Sequence, residues 1–206
     1  MKLEPGMRVL DLGCGTALRS IFLAKEFGLQ VWASDLWVSP SDNYKRIREA
    51  GIEHTVFPIY AEAHALPFAA DFFDAIVSLD SYHYFGTDVE YLDGHLLSLV
   101  KKGGQIGIVS PAFVKETPDP LPERITEDWL YRANSVQWWS KHWSRCPGLE
   151  VEVAEALPSG WDLWIRWSEA LKMDDADSDG PELTMPRSEL GRSLGFVRMV
   201  GRRRGA

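Results

Sequence analysis

Cysteine is scarce in this 206-residue chain, which holds only Cys14 and Cys146. Two thiols do not make a disulfide framework, and neither has a second Cys nearby, so no metal site is expected. Positive charge is in deficit as well: 22 Lys and Arg stand against 30 Asp and Glu, for a formal net charge of −8. Such a balance neutralises no broad phosphate surface, which argues against nucleic acid as a partner. Arg202, Arg203 and Arg204 read as a solvated tail after a last strand. No run of 18 apolar residues is present, so no membrane span is expected. Met1-Lys-Leu-Glu-Pro-Gly leads straight into a strand and leaves no room for a signal peptide, which predicts a cytoplasmic protein. Internal repeats and low-complexity tracts are missing too.

What remains is an ordinary globular composition, 45% hydrophobic and 25% charged, at a one-domain length. The first two-thirds alternates strand and helix patterns. Strands are predicted over 8–12, 30–34, 55–60, 74–79 and 105–109, the last ended by Pro111. Helices are predicted over 18–27 with Gly28 as stop, over 41–49 with Ser41 or Asp42 as cap, and over 89–100 closed by Gly103-Gly104. That alternation implies right-handed crossovers and a parallel sheet covered on both faces. The last third differs. Seven of the nine tryptophans lie between Trp129 and Trp167. Two further strands, 149–154 and 195–203, flank a helix over 161–171 and the acidic loop Asp174 to Asp179, read as a solvated connection.

The densest signal is Val9-Leu-Asp-Leu-Gly-Cys-Gly-Thr-Ala-Leu-Arg-Ser20, a buried strand, a glycine turn and a helix start. A dinucleotide fingerprint needs a third glycine at position 18, where Leu18 stands. The block Asp11 to Thr16 resembles motif I of the class I S-adenosylmethionine (SAM) dependent methyltransferases, Asp-Leu-Gly-Cys-Gly-Thr-Gly, with Ala17 in place of the last glycine. Three more segments follow in the family's order. Asp35 ends the second strand, Glu62-Ala63 opens a segment finished by Leu66-Pro-Phe68, and Phe73-Asp74 leads into the fourth strand. The resemblance covers roughly residues 5 to 112. It implies a Rossmann-like α/β fold: a mostly parallel seven-stranded sheet, helices on both faces, an antiparallel last strand. One domain over 1–206 would then comprise a SAM-binding core, 1–111, and an aromatic-rich substrate or lid region, 112–206.

The resemblance also implies a cofactor site for SAM. Asp11, Gly13, Cys14, Gly15 and Thr16 would form its loop, and Asp35 would accept from the ribose hydroxyls. Leu36 and Trp37 would flank adenine, Glu62 would meet the adenine amino group, and the Ala63 N–H a ring nitrogen, with Ser78 nearby. His64 falls on a variable position and reads as exposed, and Asp74 reads as structural. At the edge of the fourth strand, Asp80, Tyr82, His83 and Tyr84 would contact the methyl acceptor, His83 taking a proton and Asp80 holding a cationic amine. Methyl transfer from a sulfonium needs mainly collinear positioning in a dry pocket, worth about 7–11 kcal/mol in well-oriented systems.

Few residues precede the first strand, so the aromatic segment 113–143 is expected to replace the family's N-terminal cover. Its Trp129, Trp138, Trp139 and Trp143 would line an apolar pocket; a packing layer on the sheet or a homodimer contact is the plainer reading. The expected activity is methylation of a small amine or hydroxylated metabolite. The alternatives are a SAM-using enzyme of another type, such as a cyclase, a non-catalytic SAM-binding scaffold or partner subunit, and, weakest, a nicotinamide oxidoreductase.

Overall fold

Strand β1, Arg8–Leu12, sits in the middle of the sheet because both of its faces are apolar or paired. Val9 and Asp11 point to one face and Leu10 and Leu12 to the other, the two-residue period of a strand, and all four are buried. The computed structural model describes residues 1–88, 90–113, 133–174 and 194–205. On either side of β1 run β2, Gln30–Asp35, and β4, Phe73–Leu79, both parallel to it. Beyond them, β3 (Val56–Tyr60) pairs with β2 and β5 (Val100–Phe113) with β4, again parallel. One reversed strand finishes the pattern: β7 (Leu194–Arg203) lies antiparallel between β5 and β6 (Leu149–Ala156), so β6 at the edge runs the same way as β1 to β5. The order is β3-β2-β1-β4-β5-β7-β6, the mostly parallel seven-stranded sheet expected from the sequence. Its strand order reverses between β1 and β4, and a crevice opens at the carboxyl ends of strands at such a point.

Helices α1 (Leu18–Phe27) and α2 (Pro40–Glu49) cover the Val9 face, packing Leu23, Ala24 and Ile47 on Val31, Ala33 and Val77. The opposite face is covered by α3 and α4. Helix α3 is a wide π-type turn, Tyr91–Leu96, continued by the α-helical turn Leu97–Leu99; α4 is Val136–Trp143. They bury Leu96, Leu97, Trp139 and Trp143 against Leu10, Ile76 and Ile106. A smaller cluster joins Trp161 of α5 (Gly160–Asp174) to Phe113, Leu194 and Phe196.

Most elements differ from the sequence reading at one end or the other, and three of these boundaries have a plain physical cause. Helix α2 starts one residue before Ser41, because Ser39 caps it by accepting from the Ser41 N–H at 3.2 Å and Pro40 fills the first turn, where no N–H is needed. Val100 does not end α3. It is fully buried and pairs with Phe73, so it already belongs to the sheet. Nor does Pro111 end β5, which runs to Phe113. The Asp80 N–H donates to the Val109 carbonyl at 2.7 Å as the last bond of the β4–β5 ladder. Two residues on, the Pro111 nitrogen faces the same side beyond the end of β4, so no ladder bond is lost.

The amino end of β4 is anchored by Asp74, in the structural role expected for it. One carboxylate oxygen accepts from the Arg8 N–H at 2.8 Å and the other pairs with Lys101. Gly104 passes this corner so closely that a β-carbon there would lie 2.5 Å from the Asp74 carbonyl oxygen.

A cleft at the carboxyl ends of β1, β2 and β4

The chain leaves β1 at Gly13 in the left-handed region, φ +72°. A β-carbon at this position would stand 2.4 Å from the Ser81 side chain, whose hydroxyl donates to the Gly13 carbonyl at 2.9 Å. Gly13 is thus required by both conformation and contact. The loop's amides are turned inward. Gly13 and Cys14 both donate to the Ser34 carbonyl, at 2.9 and 3.0 Å, and Gly15 donates to Asp35 Oδ2 at 2.7 Å. A loop built this way offers close approach of backbone to a ligand and spends these three donors on the protein itself, unlike a phosphate cradle.

Beneath the loop, Asp11 is completely buried. Arg19 donates to its Oδ1 through Nε and Nη2, at 2.8 and 2.5 Å, and Ser20 Oγ donates to Oδ2 at 2.6 Å. The same guanidinium reaches the carbonyls of Gly13 and Leu79, at 3.0 and 3.1 Å, and so ties the loop to the ends of β1 and β4. From the other side, buried Asn43 of α2 donates to the Gly15 carbonyl at 2.9 Å. Asp11 therefore holds α1 and the loop together and does not face the cleft, which corrects its expected place in the cofactor contact. Neither Arg19 nor Asn43 was singled out in the sequence, because each acts across elements and leaves no local pattern.

The cleft itself holds a cavity of about 240 Å³. Leu12 and Gly13 form its floor, Ser34 to Trp37 one wall, Ala61 to His64 a second, and Ser81, Tyr84 and Phe85 a third. Of the residues expected at the cofactor, the structure brings together Gly13, Asp35, Leu36, Trp37, Glu62 and Ala63. It does not place Cys14, Gly15, Thr16 or Ser78 on the lining. Thr16 points to solvent, and Gly15 serves Asp35. Ser78 is buried inside β4 beside Ile108. The Cys14 thiol lies buried against Asn43, and burial first, then the Asp11 charge, push its pKa far up, so it stays a neutral thiol.

Asp35 already accepts three backbone bonds. Gly15 takes Oδ2, while Trp37 and Val38 take Oδ1 at 2.8 and 2.9 Å. A carboxylate has about four acceptor positions, so one remains on Oδ2. Glu62 accepts from the His64 N–H at 2.9 Å and pairs with the His64 ring at 2.8 Å. That ring first, and the His64 N–H with it, hold the Glu62 carboxyl below its ordinary range. Among the described residues, no Lys or Arg lines the cavity; its fixed charges are the two carboxylates.

The expected acceptor residues separate. Tyr84 lines the cavity, half exposed, its ring edge-on to Trp37 at 5.2 Å between centroids. His83 is buried just behind it, with ring centroids 4.1 Å apart. Asp80 is half-buried at the strand end in a left-handed conformation, φ +58°, outside the lining. Tyr82 is fully buried among Phe85, Tyr91, Trp139 and Trp143, and burial pushes its hydroxyl pKa strongly up. It is a core residue, which corrects its place among the acceptor contacts: the 3₁₀ turn Tyr82–Tyr84 aims it into the sheet.

Trp139 and Trp143 are likewise fully buried and form a packing layer, the plainer of the two readings. Trp138 is part exposed and stacks on His142, and Trp129 lies outside the described residues, as do positions 175–179 of the acidic loop. Among the described residues no three His, Cys, Asp or Glu side chains converge as metal ligands, and no helix is long and apolar enough to cross a membrane.

Residues 9–104 match the model of a methyltransferase domain family. A demethylmenaquinone methyltransferase of Mycobacterium marinum is 37% identical over 183 residues, which cover 81% of this chain and 72% of that protein. Among its curated relatives the chain spans from 44% to 72% of their length. In fold it is similar to geranyl diphosphate C-methyltransferase from Streptomyces coelicolor, solved with Mg²⁺, geranyl diphosphate and S-adenosylhomocysteine: the TM-score is 0.75 at 18% identity, covering 98% of this chain and 74% of that one. The [4+2]-cyclase SpnF is similar to the same degree, with a TM-score of 0.75 at 20% identity and coverage of 99% and 77%.

Proposed function

The chain belongs to the class I methyltransferase family, and from that premise we propose that it moves a methyl group from SAM to a small-molecule acceptor in the cleft above β1, β2 and β4. The observation that carries the cofactor choice is the charge of the lining: two carboxylates, Asp35 and Glu62, and no Lys or Arg among the described lining residues. That lining suits a sulfonium nucleoside, which is cationic and rich in hydroxyl and amino donors. It opposes a dinucleotide, whose pyrophosphate would meet two like charges and no counter-charge.

When bound, SAM supplies an electrophilic methyl on a positively charged sulfur. The chain's own residues then bind and orient. Asp35 Oδ2 has one acceptor position for a ribose hydroxyl, and Leu12 and Leu36 offer apolar contact to the nucleoside. Glu62 offers an acceptor to the amino group of an adenine edge, with Ala63 beside it on the lining. Trp37, Tyr84 and Phe85 form an aromatic wall of the cavity against which the acceptor would pack. Tyr84 is the proposed acceptor contact, positioned by His83 behind it. Holding the acceptor's lone pair in line with the methyl is the main task, and the acceptor proton leaves to solvent or to a nearby base.

Incubating the protein with methyl-labelled SAM and a metabolite extract, followed by mass spectrometry, tests this. A new mass carrying the label, formed in step with S-adenosylhomocysteine, is expected. A rearranged metabolite with SAM left intact would instead favour the cyclase reading, and no labelled species at all would contradict the proposal.

A further inference from the structure

His64 is exposed, as expected from the sequence, and it also stands in the cleft wall. Its N–H donates to Glu62 Oε2 at 2.9 Å, and its Nδ1 lies 2.8 Å from Glu62 Oε1. A carboxylate oxygen only accepts, so Nδ1 carries the proton in this pair. The ring in turn packs edge-on to Tyr91 at 4.7 Å between centroids. Tyr91 is buried, and its hydroxyl donates to the Ala63 carbonyl at 3.2 Å. A continuous set of contacts thus runs from the core, through His64, to the Glu62 carboxylate at the cavity. Glu62 is about half exposed, its side chain at 46%. Without those two bonds a long, half-solvated carboxylate has several rotamers open to it and no fixed direction.

We infer that His64 is a specificity-determining positioning residue for the nucleoside base, fixing Glu62 so that the cleft accepts a purine with an exocyclic amino group and rejects one with a carbonyl there. This rests on the methyltransferase reading and deepens it. A fixed carboxylate presents an acceptor in one direction. An exocyclic amino group there donates to it. A carbonyl there sets acceptor against acceptor and leaves the carboxylate without a partner on the ligand. Where Glu62 is free to turn away, the mismatch is relieved and the preference falls.

The test is calorimetric titration of S-adenosylhomocysteine and S-inosylhomocysteine into wild type, His64→Ala, His64→Phe and His64→Asn. Phe keeps a ring against Tyr91 without the donor; Asn keeps a donor near the Nδ1 position without the ring. The wild type is expected to prefer the adenosyl ligand by at least about tenfold, as sites built to hydrogen-bond one group reject its replacement. That ratio should fall at least about fivefold in Ala and Phe and be largely retained in Asn. An unchanged ratio in Ala and Phe would overturn the inference, as would a loss in Asn with retention in Phe, which would assign the effect to ring packing. A wild type that binds neither ligand would overturn the methyltransferase reading itself, a result distinct from either of these.

Discussion

Ala17 stands where the family motif has glycine, and the chain holds it at φ +60° as the cap of α1. For an L-residue that conformation costs roughly 1–2 kcal/mol. The methyl is fully buried in the cluster beneath α1, which returns about 0.8 kcal/mol, and Ala restricts the unfolded chain more than Gly does. The terms nearly cancel. Ala17→Gly should therefore change stability by less than about 1 kcal/mol in thermal denaturation, whereas Ala17→Val, β-branched and larger in a filled space, should lose more than about 2. A large loss in the glycine variant would mean that packing of the methyl dominates. Residue-scale roles were unevenly legible in the sequence. Asp35, Glu62 and Trp37 reach the cavity because a strand's end, or a turn next to it, settles where they emerge. Asp11 and Tyr82 do not, since position along a strand does not reveal that Arg19 and Ser20 neutralise the one, or that Trp139 and Trp143 enclose the other.

At the scale of elements, the amino ends of β1, β4 and β5 meet at Asp74. Burial alone would raise its carboxyl, but the Lys101 ammonium and the Arg8 N–H outweigh it and hold the pKa below the ordinary 3.8. A depressed folded value means that the unfolded chain binds the proton first. The stabilisation is therefore complete above about pH 4 and is lost as pH falls through the folded value. Asp74→Asn should lower stability near neutral pH and flatten its decline below pH 4, measured as urea midpoints across that range. An unchanged acid limb would remove Asp74 from the account. β1 and α1 match their expected bounds because a buried alternation and a helical period ending at Gly28 are local signals. The ends of α3 and β5 are not local. Val100 enters the sheet because Phe73 waits for it, and Pro111 stays in it because β4 has already stopped.

Across the whole molecule, the sheet order places the ends of β1, β2 and β4 around one crevice, and the loops there carry its two carboxylates and its aromatic wall. Trp37, 76% exposed, and Tyr84 meet over that crevice from different strands. The tryptophan-rich last third, read from the sequence as a pocket or a layer, contributes a layer through Trp139 and Trp143. The wall of the cleft comes instead from the strand ends, so the acceptor is met by Tyr84 and Phe85 in the proposed reading.

The most direct test of the central claim is side-by-side calorimetry of SAM and NAD with the wild type and with Asp35→Asn. The account predicts that SAM binds, that NAD does not, and that the substitution weakens SAM at least about tenfold, the loss of one hydrogen bond to a charged group. Binding of NAD in preference to SAM, or SAM affinity indifferent to Asp35, would contradict it.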